Sequence, residues 1–235
     1  MKAFTVLNTR AREQAAELSK LLRAAAFEVV EAPAIAIEPA WDPCELEAVR
    51  LRLQNGEYTW VVLQSHNAAL ELAADLRESR TRIACGKATE NTFHLTASIA
   101  LERFSASAAL DALRLRLQKG DRVLMPRAAE GRDELLAGLS ASGVTLDAPV
   151  AYHTVQVGDA AARLKADDLD VVALCSPSAV VSVAAALPAR VLVVCLGRTT
   201  AEAAQRAGVR VDAVAGQTSM RALVQTIEAL SGARV

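Results

Sequence analysis

The sequence has few aromatic residues and no long apolar segment. Only 3% of its 235 residues are aromatic although 52% are hydrophobic, so the core must consist mainly of small and aliphatic side chains. No apolar run reaches the ~18 residues that a membrane-spanning helix needs. A β-like run begins at residue 3, which leaves no room for a signal peptide. We therefore expect a cytoplasmic protein that does not associate with membranes.

An excess of charge of either sign is also missing. The chain has 26 Lys and Arg residues against 27 Asp and Glu residues, a net charge of −1. Proteins that bind nucleic acids or anionic membranes carry a basic surface, and this composition does not supply one. If the ligand is strongly anionic, a local pocket must attract it.

Motifs for disulfides, metals and nucleotides are absent as well. The four cysteines, Cys44, Cys85, Cys175 and Cys195, form no CxxC pair, and the last three lie in or next to apolar runs. This placement favours buried, reduced thiols. The three histidines share no metal-ligand spacing, and there is no Walker loop, GxGxxG or GxSxG motif. We expect neither a metal nor another cofactor.

What the sequence does contain is an alternation of short apolar runs and helical patterns. The clearest runs are residues 3–7, 60–63, 122–125, 171–174 and 191–196. Near-continuous apolar runs of this length are typical of parallel strands buried on both faces. Residues 12–26 and 199–207 have amphipathic helical patterns, and Gly208 follows the second in the position of a C-terminal cap. The pattern predicts doubly wound α/β domains of the flavodoxin-like or Rossmann-like kind, with parallel sheets.

Several motifs occur twice. Residues 64–68 resemble residues 175–179, with Ser65 and Ser176 separated by 111 positions. Gly86 and Gly197 lie in a second pair of similar motifs and are also 111 positions apart. A third pair ends at Arg10 and Arg127, 117 positions apart. These offsets predict two copies of one α/β unit.

Two proline-flanked, extended stretches, residues 32–39 and 148–157, have the character of connectors. The simplest interpretation is a discontinuous first domain, residues 1–36 and 156–235, with a second domain of residues 40–149 inserted into it. The connectors would then pair as a two-stranded linker, with a ligand cleft between the domains.

The repeated motifs lie where a predicted strand ends and a helix begins. Ligands of parallel α/β sheets bind outside the carboxyl ends of the strands, and helix N-termini there offer unpaired N–H groups to anions. Ser65, Ser176 and Ser178 suit N-cap positions. Gly86 and Gly197 would let a ligand approach the backbone. The serines also have a purely structural interpretation, as helix caps and nothing more.

The same alternative holds for the other candidate residues. Arg10, Arg127 and Arg132 are either ligand contacts or solvated surface charges. Thr89, Thr199 and Thr200 either contact a ligand or only open their helices.

Seven motifs, taken in order, carry a resemblance to a known family. They are residues 8–10, 65–68, 86–89, 125–127 with 131–132, 151–154, 175–180 and 196–201. These motifs span nearly the whole chain. In their order and spacing, the sequence resembles the uroporphyrinogen-III synthases. These enzymes of the haem and sirohaem pathways close a linear tetrapyrrole into a ring. The chain departs from the family's usual Ser-Pro turn at Gln64 and His66, and Leu174-Cys175 precede the second Ser-Pro-Ser.

The resemblance implies two α/β domains joined by a two-stranded linker. It also implies that the polyanionic substrate hydroxymethylbilane loses water, inverts ring D and closes to uroporphyrinogen III without a metal or cofactor. The acetate and propionate arms would be held mainly by backbone N–H groups. The substrate-binding residues implied are Arg10, Ser65, His66, Asn67, Gly86, Lys87, Thr89, Arg127, Arg132, Ser176, Ser178, Gly197, Thr199 and Thr200.

Tyr152 is the catalytic candidate, because the family places a Tyr in the matching connector. Its phenol could donate a proton to the departing hydroxyl of the substrate. The alternative is a linker aromatic that only packs. His153 would point to the opposite face of an extended segment, so we do not pair it with Tyr152.

The resemblance further implies a monomer, with room for a transient hand-over of substrate from hydroxymethylbilane synthase. A second hypothesis is a non-catalytic, tetrapyrrole- or anion-binding regulatory module of the same fold. A two-lobed periplasmic binding protein is a third, but it would need a signal peptide.

Overall fold

The structure, a computed structural model, describes residues 4–130, 134–166 and 168–232. The chain divides into two compact units. Unit 1 comprises Met1–Ala36 and Val155–Val235, and unit 2 comprises Ile37–Thr154. Unit 1 is therefore discontinuous in sequence, with unit 2 inserted between its two segments.

The strands of the described residues are short. In chain order they are β1 (Thr5–Asn8), β2 (Glu28–Glu31), β3 (Ile35–Pro39), β4 (Trp60–Leu63), β5 (Arg82–Gly86), β6 (Ile99–Leu101), β7 (Arg122–Leu124), β8 (Arg127–Ala128), β9 (Thr145–Asp147), β10 (Val150–Gln156), β11 (Val171–Leu174), β12 (Leu192–Cys195) and β13 (Ala213–Val214).

Helices follow most of these strands. They are α1 (Arg12–Ala24), α2 (Pro43–Gln54), α3 (His66–Ala69), α4 (Ala73–Glu78), α5 (Lys87–Phe93), α6 (Ala106–Arg114), α7 (Glu134–Ser140), α8 (Asp159–Ala166), α9 (Pro177–Val183), α10 (Arg198–Arg206) and α11 (Met220–Gly232). Single 3-10 turns, Leu70–Leu72 and Ala184–Ala186, extend α3 and α9.

Unit 1 is built on a five-stranded parallel sheet in the order β13-β12-β11-β1-β2. Successive strand residues point to opposite faces, so neighbouring side chains enter different cores. Leu7 packs in the core formed with α8, α9 and α10, whereas Val6 packs in the core formed with α1 and α11. Both side chains are completely buried, which explains why β1 has no alternation of polar and apolar residues.

Unit 2 repeats this design with a parallel sheet in the order β6-β5-β4-β7-β9. Val61 and Leu63 of β4 pack against α2, α3 and α4 on one face. Trp60 and Val62 pack against α6 and α7 on the other. The fold class expected from the sequence, doubly wound parallel sheets in two domains, is confirmed.

The two sheets match strand for strand when the motifs of the sequence repeat are aligned. Ser65 follows β4 and Ser176 follows β11, while Gly86 ends β5 and Gly197 comes shortly after β12. Aligning β4, β5 and β6 with β11, β12 and β13 leaves β7 and β9 opposite β1 and β2, and the two sheet orders then coincide. The units are thus circular permutations of one topology, because unit 1 begins at the strand that comes fourth in unit 2.

A smaller sheet has the order β3-β10-β8 and contains parts of both predicted connectors. The Ala40 N–H donates to Ala151 O at 3.0 Å, and the Val157 N–H donates to Ala34 O at 3.0 Å. Strand β8 runs parallel to β10, and the register of their pairing shifts between Val150 and Tyr152. Tyr152 therefore lies at an irregularity of a strand that pairs on both sides.

Most of the local predictions agree with the structure to within two residues at each end. Helix α1 ends at Ala24, and α10 covers Arg198–Arg206. Gly208 has φ +72°, and its N–H donates to Gln205 O, as expected of a glycine that ends a helix.

The described ranges contain neither a membrane-spanning helix nor a cluster of metal ligands. No helix there combines the length and hydropathy needed to span a bilayer. Nor do three His, Cys, Asp or Glu side chains in those ranges come together as a set of metal ligands.

The four cysteines are free thiols and differ in exposure. Cys44 is exposed, whereas Cys85 and Cys195 are buried and Cys175 is half-buried. Burial raises the pKa of both Cys85 and Cys195 to about 11. The thiolate is the form that reacts with alkylating agents.

We expect iodoacetamide at mildly alkaline pH to modify Cys44 rapidly and to leave Cys85 and Cys195 unmodified in the folded protein. Peptide mapping by mass spectrometry measures each site. Denatured protein provides the control, in which all four cysteines should react at similar rates. Equal rates in the folded protein would contradict the burial described here.

Candidate functional site

Each parallel sheet has a point where the chain continues in opposite directions from two neighbouring strands. In unit 2 this point lies between β4 and β7, and in unit 1 between β11 and β1. Ligands of doubly wound sheets bind at such points, outside the carboxyl ends of the strands. The residues that follow these four strands are therefore the first to consider.

In unit 2 the structure brings two of the predicted residues into contact. Ser65 directly precedes α3, and Tyr152 lies in β10. Their hydroxyl oxygens are 2.9 Å apart, and either can be the donor. Both residues are half-buried. The Tyr152 ring packs against the apolar cluster on one face of the unit 2 sheet, so its position is fixed by packing as well as by this hydrogen bond.

The equivalent serine of unit 1 behaves differently. Ser176 Oγ accepts a hydrogen bond from the Ala179 N–H at 3.2 Å and so caps α9. Ser65 occupies the N-cap position of α3, but its side chain makes no capping bond. Ser178 lies inside α9, so the expectation that it is an N-cap residue was wrong.

The glycines at the two repeated turns begin helices. Gly86 is the N-cap residue of α5, and Gly197 is the N-cap residue of α10. A Cβ atom at Gly86 would lie 3.3 Å from Phe104 Cβ, and one at Gly197 would lie 3.7 Å from Thr218 Oγ1. Close packing against Phe104 thus disfavours a larger side chain at position 86, independent of any ligand.

Lys87, the first residue of α5, is half of an ion pair. Its Nζ lies 2.8 Å from Glu90 Oε2. The Lys87 ammonium, and then the Ala97 N–H, lower the pKa of the Glu90 carboxyl, while Glu90 raises the pKa of Lys87. An anionic ligand would have to compete with Glu90 for this cation. The spacing of three residues within a helix is the sequence feature that could have predicted the pair.

The guanidinium groups of the predicted arginines contact the protein itself. Arg10 donates from Nε to Gln14 O at 2.9 Å and from Nη2 to Gln14 Oε1 at 3.2 Å. Arg127 donates from Nε to Ala148 O at 3.3 Å and from Nη1 to Ala128 O at 3.1 Å. Arg132 lies outside the described residues.

The remaining candidates lie in the first turns of helices and differ in exposure. Thr89 and Thr200 are buried, whereas Thr199 is exposed. His66 and Asn67 are half-buried, and each has a further polar or ring interaction. Of the three threonines, Thr199 is therefore the most accessible to a ligand.

Two polar residues at the end of β1 have structural roles that the sequence did not reveal. Asn8 is completely buried and donates from Nδ2 to Ala15 O and to Ser19 Oγ, at 3.0 and 2.9 Å. Thr9 Oγ1 donates to Ala173 O at 2.7 Å. These bonds hold β1 to α1 and β11, so the polarity of these two residues serves the fold.

The comparisons with known proteins identify the family. The family model described as uroporphyrinogen-III synthase HemD matches residues 16–225. This chain belongs to the uroporphyrinogen-III synthase family. The members of that family take part in haem biosynthesis. Among curated proteins, no sequence matches the chain significantly.

Solved structures of synthases share the fold. A mutant uroporphyrinogen III synthase of the extremely thermophilic bacterium Thermus thermophilus is 15% identical, with a TM-score of 0.64 over 98% of this chain and 100% of that chain. The uroporphyrinogen-III synthetase of Helicobacter pylori is 16% identical, with a TM-score of 0.62 over 98% of this chain and 99% of that chain. At this identity the likeness establishes the architecture but not the role of any single residue.

The cap at Ser176 leads to a stability prediction. We expect Ser176→Ala to lower the free energy of unfolding by about 0.5–2 kcal/mol, because α9 loses its N-cap bond. Ser178→Ala, two residues further along the same helix, serves as the control and should change it by less than about 0.5 kcal/mol. Urea unfolding of the wild type and the two variants under one set of conditions provides the measurement. An equal loss in both variants would rule out the capping role.

Proposed function

We propose that this protein is a uroporphyrinogen-III synthase, a lyase that converts hydroxymethylbilane into uroporphyrinogen III with loss of water and inversion of ring D. The observation that carries the proposal is the family match over residues 16–225, which contains most of the strand ends described above. The contact between Ser65 and Tyr152 at the carboxyl edge of the unit 2 sheet supports it.

The substrate is a linear tetrapyrrole with acetate and propionate arms on every pyrrole ring. We infer that the turns after the strands of both units bind these carboxylates, chiefly through backbone N–H groups. The nine-residue helix α10, which starts after Gly197, is the clearest case because its first N–H groups have no partner within the helix. Lys87 would contribute in competition with Glu90, whereas Arg10 and Arg127 have N–H donors beyond those used in their present hydrogen bonds.

Loss of the terminal hydroxyl leaves an electrophilic azafulvene that reacts readily. The difficult part is to direct closure to the substituted carbon of ring D, which forms the spiro intermediate that inverts the ring. Holding the substrate in that geometry is catalysis by positioning. Tyr152 would add a proton to the departing hydroxyl, so that it leaves as water.

A coupled assay tests the proposed activity. Hydroxymethylbilane is generated in place by hydroxymethylbilane synthase, and the oxidised products are resolved by chromatography into isomers I and III. We expect isomer III in excess in the presence of this protein and isomer I in its absence. Binding of the tetrapyrrole with no increase in isomer III would instead support the non-catalytic module of the same fold.

The role of the phenol is tested by Tyr152→Phe, which keeps the ring and its packing and removes the hydroxyl. We expect kcat to fall about 10²–10⁴-fold, the usual contribution of a positioned acid. KM should change little, because the lost interaction strengthens only in the transition state. The product should remain isomer III, since the fold of the bound chain determines the inversion. A loss of less than about fivefold would leave Tyr152 as a packing residue.

A further inference from the structure

The two repeated serines share a backbone conformation and differ in what their hydroxyl groups contact. Ser65 has φ −149° and ψ 162°, and Ser176 has φ −149° and ψ 156°. Ser176 uses its hydroxyl to cap α9, whereas the Ser65 hydroxyl leaves α3 without a side-chain cap and lies 2.9 Å from the Tyr152 hydroxyl. The φ and ψ angles of the serines are therefore not what distinguishes them. The difference lies in the partner of each hydroxyl, the Ala179 N–H for Ser176 and the Tyr152 hydroxyl for Ser65.

We propose that Ser65 is a positioning residue for Tyr152, whose hydroxyl donates to the phenolic oxygen and thereby directs the phenolic hydrogen towards the substrate. This inference rests on the proposed function. The hydroxyl group of Tyr152 has a single hydrogen. If that hydrogen is to point at the substrate, Ser65 must be the donor in the hydrogen bond between the two hydroxyls.

The other tyrosine of the chain shows why the kind of partner matters. Tyr58 donates to Asp147 Oδ2 at 2.7 Å. Burial, together with this bond, raises the pKa of Tyr58 to about 12. A carboxylate only accepts, so the Tyr58 hydrogen is committed to it. The Ser65 hydroxyl can accept or donate, so Tyr152 can release its hydrogen without losing the hydrogen bond.

The surroundings of Tyr152 hold its oxygen in place during this exchange. Its ring packs on the apolar cluster that contains Leu63 and Leu124. Its backbone oxygen accepts from the Ala129 N–H at 2.9 Å, next to the register shift in the pairing of β10 with β8. A fixed oxygen with one reversible partner is the arrangement that a proton donor requires.

The proposed proton transfer from Tyr152 to the leaving hydroxyl involves one bond of the substrate and one of the enzyme. The C–O bond of the substrate's hydroxymethyl group breaks and its electron pair leaves with the oxygen, so that the terminal ring becomes a cationic azafulvene. The O–H bond of Tyr152 also breaks, its proton joins the departing hydroxyl group to form water, and the electron pair of that bond remains on the phenolate oxygen. The Ser65 hydroxyl donates to that oxygen, and a hydrogen bond to a charged oxygen is stronger than one to a neutral oxygen. The phenolate regains a proton when ring D loses the hydrogen of its unsubstituted α-carbon and becomes aromatic again. Water is the only group lost.

A double-mutant cycle in the isomer-resolved assay tests the inference. We expect Ser65→Ala to lower kcat roughly 10–100-fold, the range for a hydrogen bond to a charged group, with little change in KM. Because Ser65 acts through the phenol, Ser65→Ala should have little further effect in a protein that already carries Tyr152→Phe.

Ser105→Ala is the matched control, since Ser105 caps α6 in the same unit and belongs to no predicted site. It should leave kcat unchanged. If Ser65→Ala does not fold, Ser65→Thr and Ser65→Val provide a second comparison. The Thr and Val side chains have nearly the same shape and only Thr has a hydroxyl, so the pair distinguishes the effect of the hydroxyl from that of packing. Activity should be largely retained in the Thr variant and lost in the Val variant.

Three results would overturn the inference while leaving the proposed function intact. The first is an active wild type in which the losses from Ser65→Ala and Tyr152→Phe multiply. The second is a rise in KM at constant kcat in Ser65→Ala, which would make Ser65 a binding residue. The third is equal impairment of the Thr and Val variants. A wild type that forms no isomer III would overturn the proposed function, and this inference with it.

Discussion

In each unit, a parallel sheet that is buried on both faces determines where polar chemistry can occur. The strand interiors admit only apolar side chains, because each strand residue enters one of two cores, as Val6 and Leu7 do. Polar groups are therefore confined to the strand ends. Some of them, such as Asn8 and Thr9, already make hydrogen bonds within the fold. Only what remains at the carboxyl edges is available for a substrate.

The duplicated design shows how function can diverge at equal backbone geometry. Ser65 and Ser176 follow equivalent strands and have nearly the same φ and ψ values. One hydroxyl stabilises a helix, and the other meets a phenol. The loss of stability that comes with the uncapped helix is local, since α3 has only four residues. A weak first turn is a small loss in a unit whose stability comes from the two cores around its sheet.

Among the described residues, the cations at the candidate site already have partners within the protein, but only Lys87 is paired with an opposite charge. Lys87 is paired with Glu90, and the guanidinium groups of Arg10 and Arg127 contact carbonyl oxygens of their own unit. These contacts keep the three cations in defined positions, and the Glu90 carboxylate also reduces the attraction of Lys87 for distant anions. With a net charge of −1, the chain as a whole has no excess of positive charge to attract an anion. The proposed recognition of a polyanion therefore relies on local contacts.

The sequence by itself determined the fold class, the repeat and the positions of the turns that follow the strands. Buried strands such as Trp60–Leu63 and helix ends such as Gly208 are encoded in neighbouring residues, and an offset of 111 positions is visible without coordinates. Only the tertiary structure decided what each polar group touches. Ser65 and Tyr152 are 87 positions apart and meet because β10 returns to the end of β4. Phe104 likewise lies beside Gly86 because the fold brings together two segments that are separated in sequence. Contacts between distant segments depend on how the sheets assemble, and no local pattern records that.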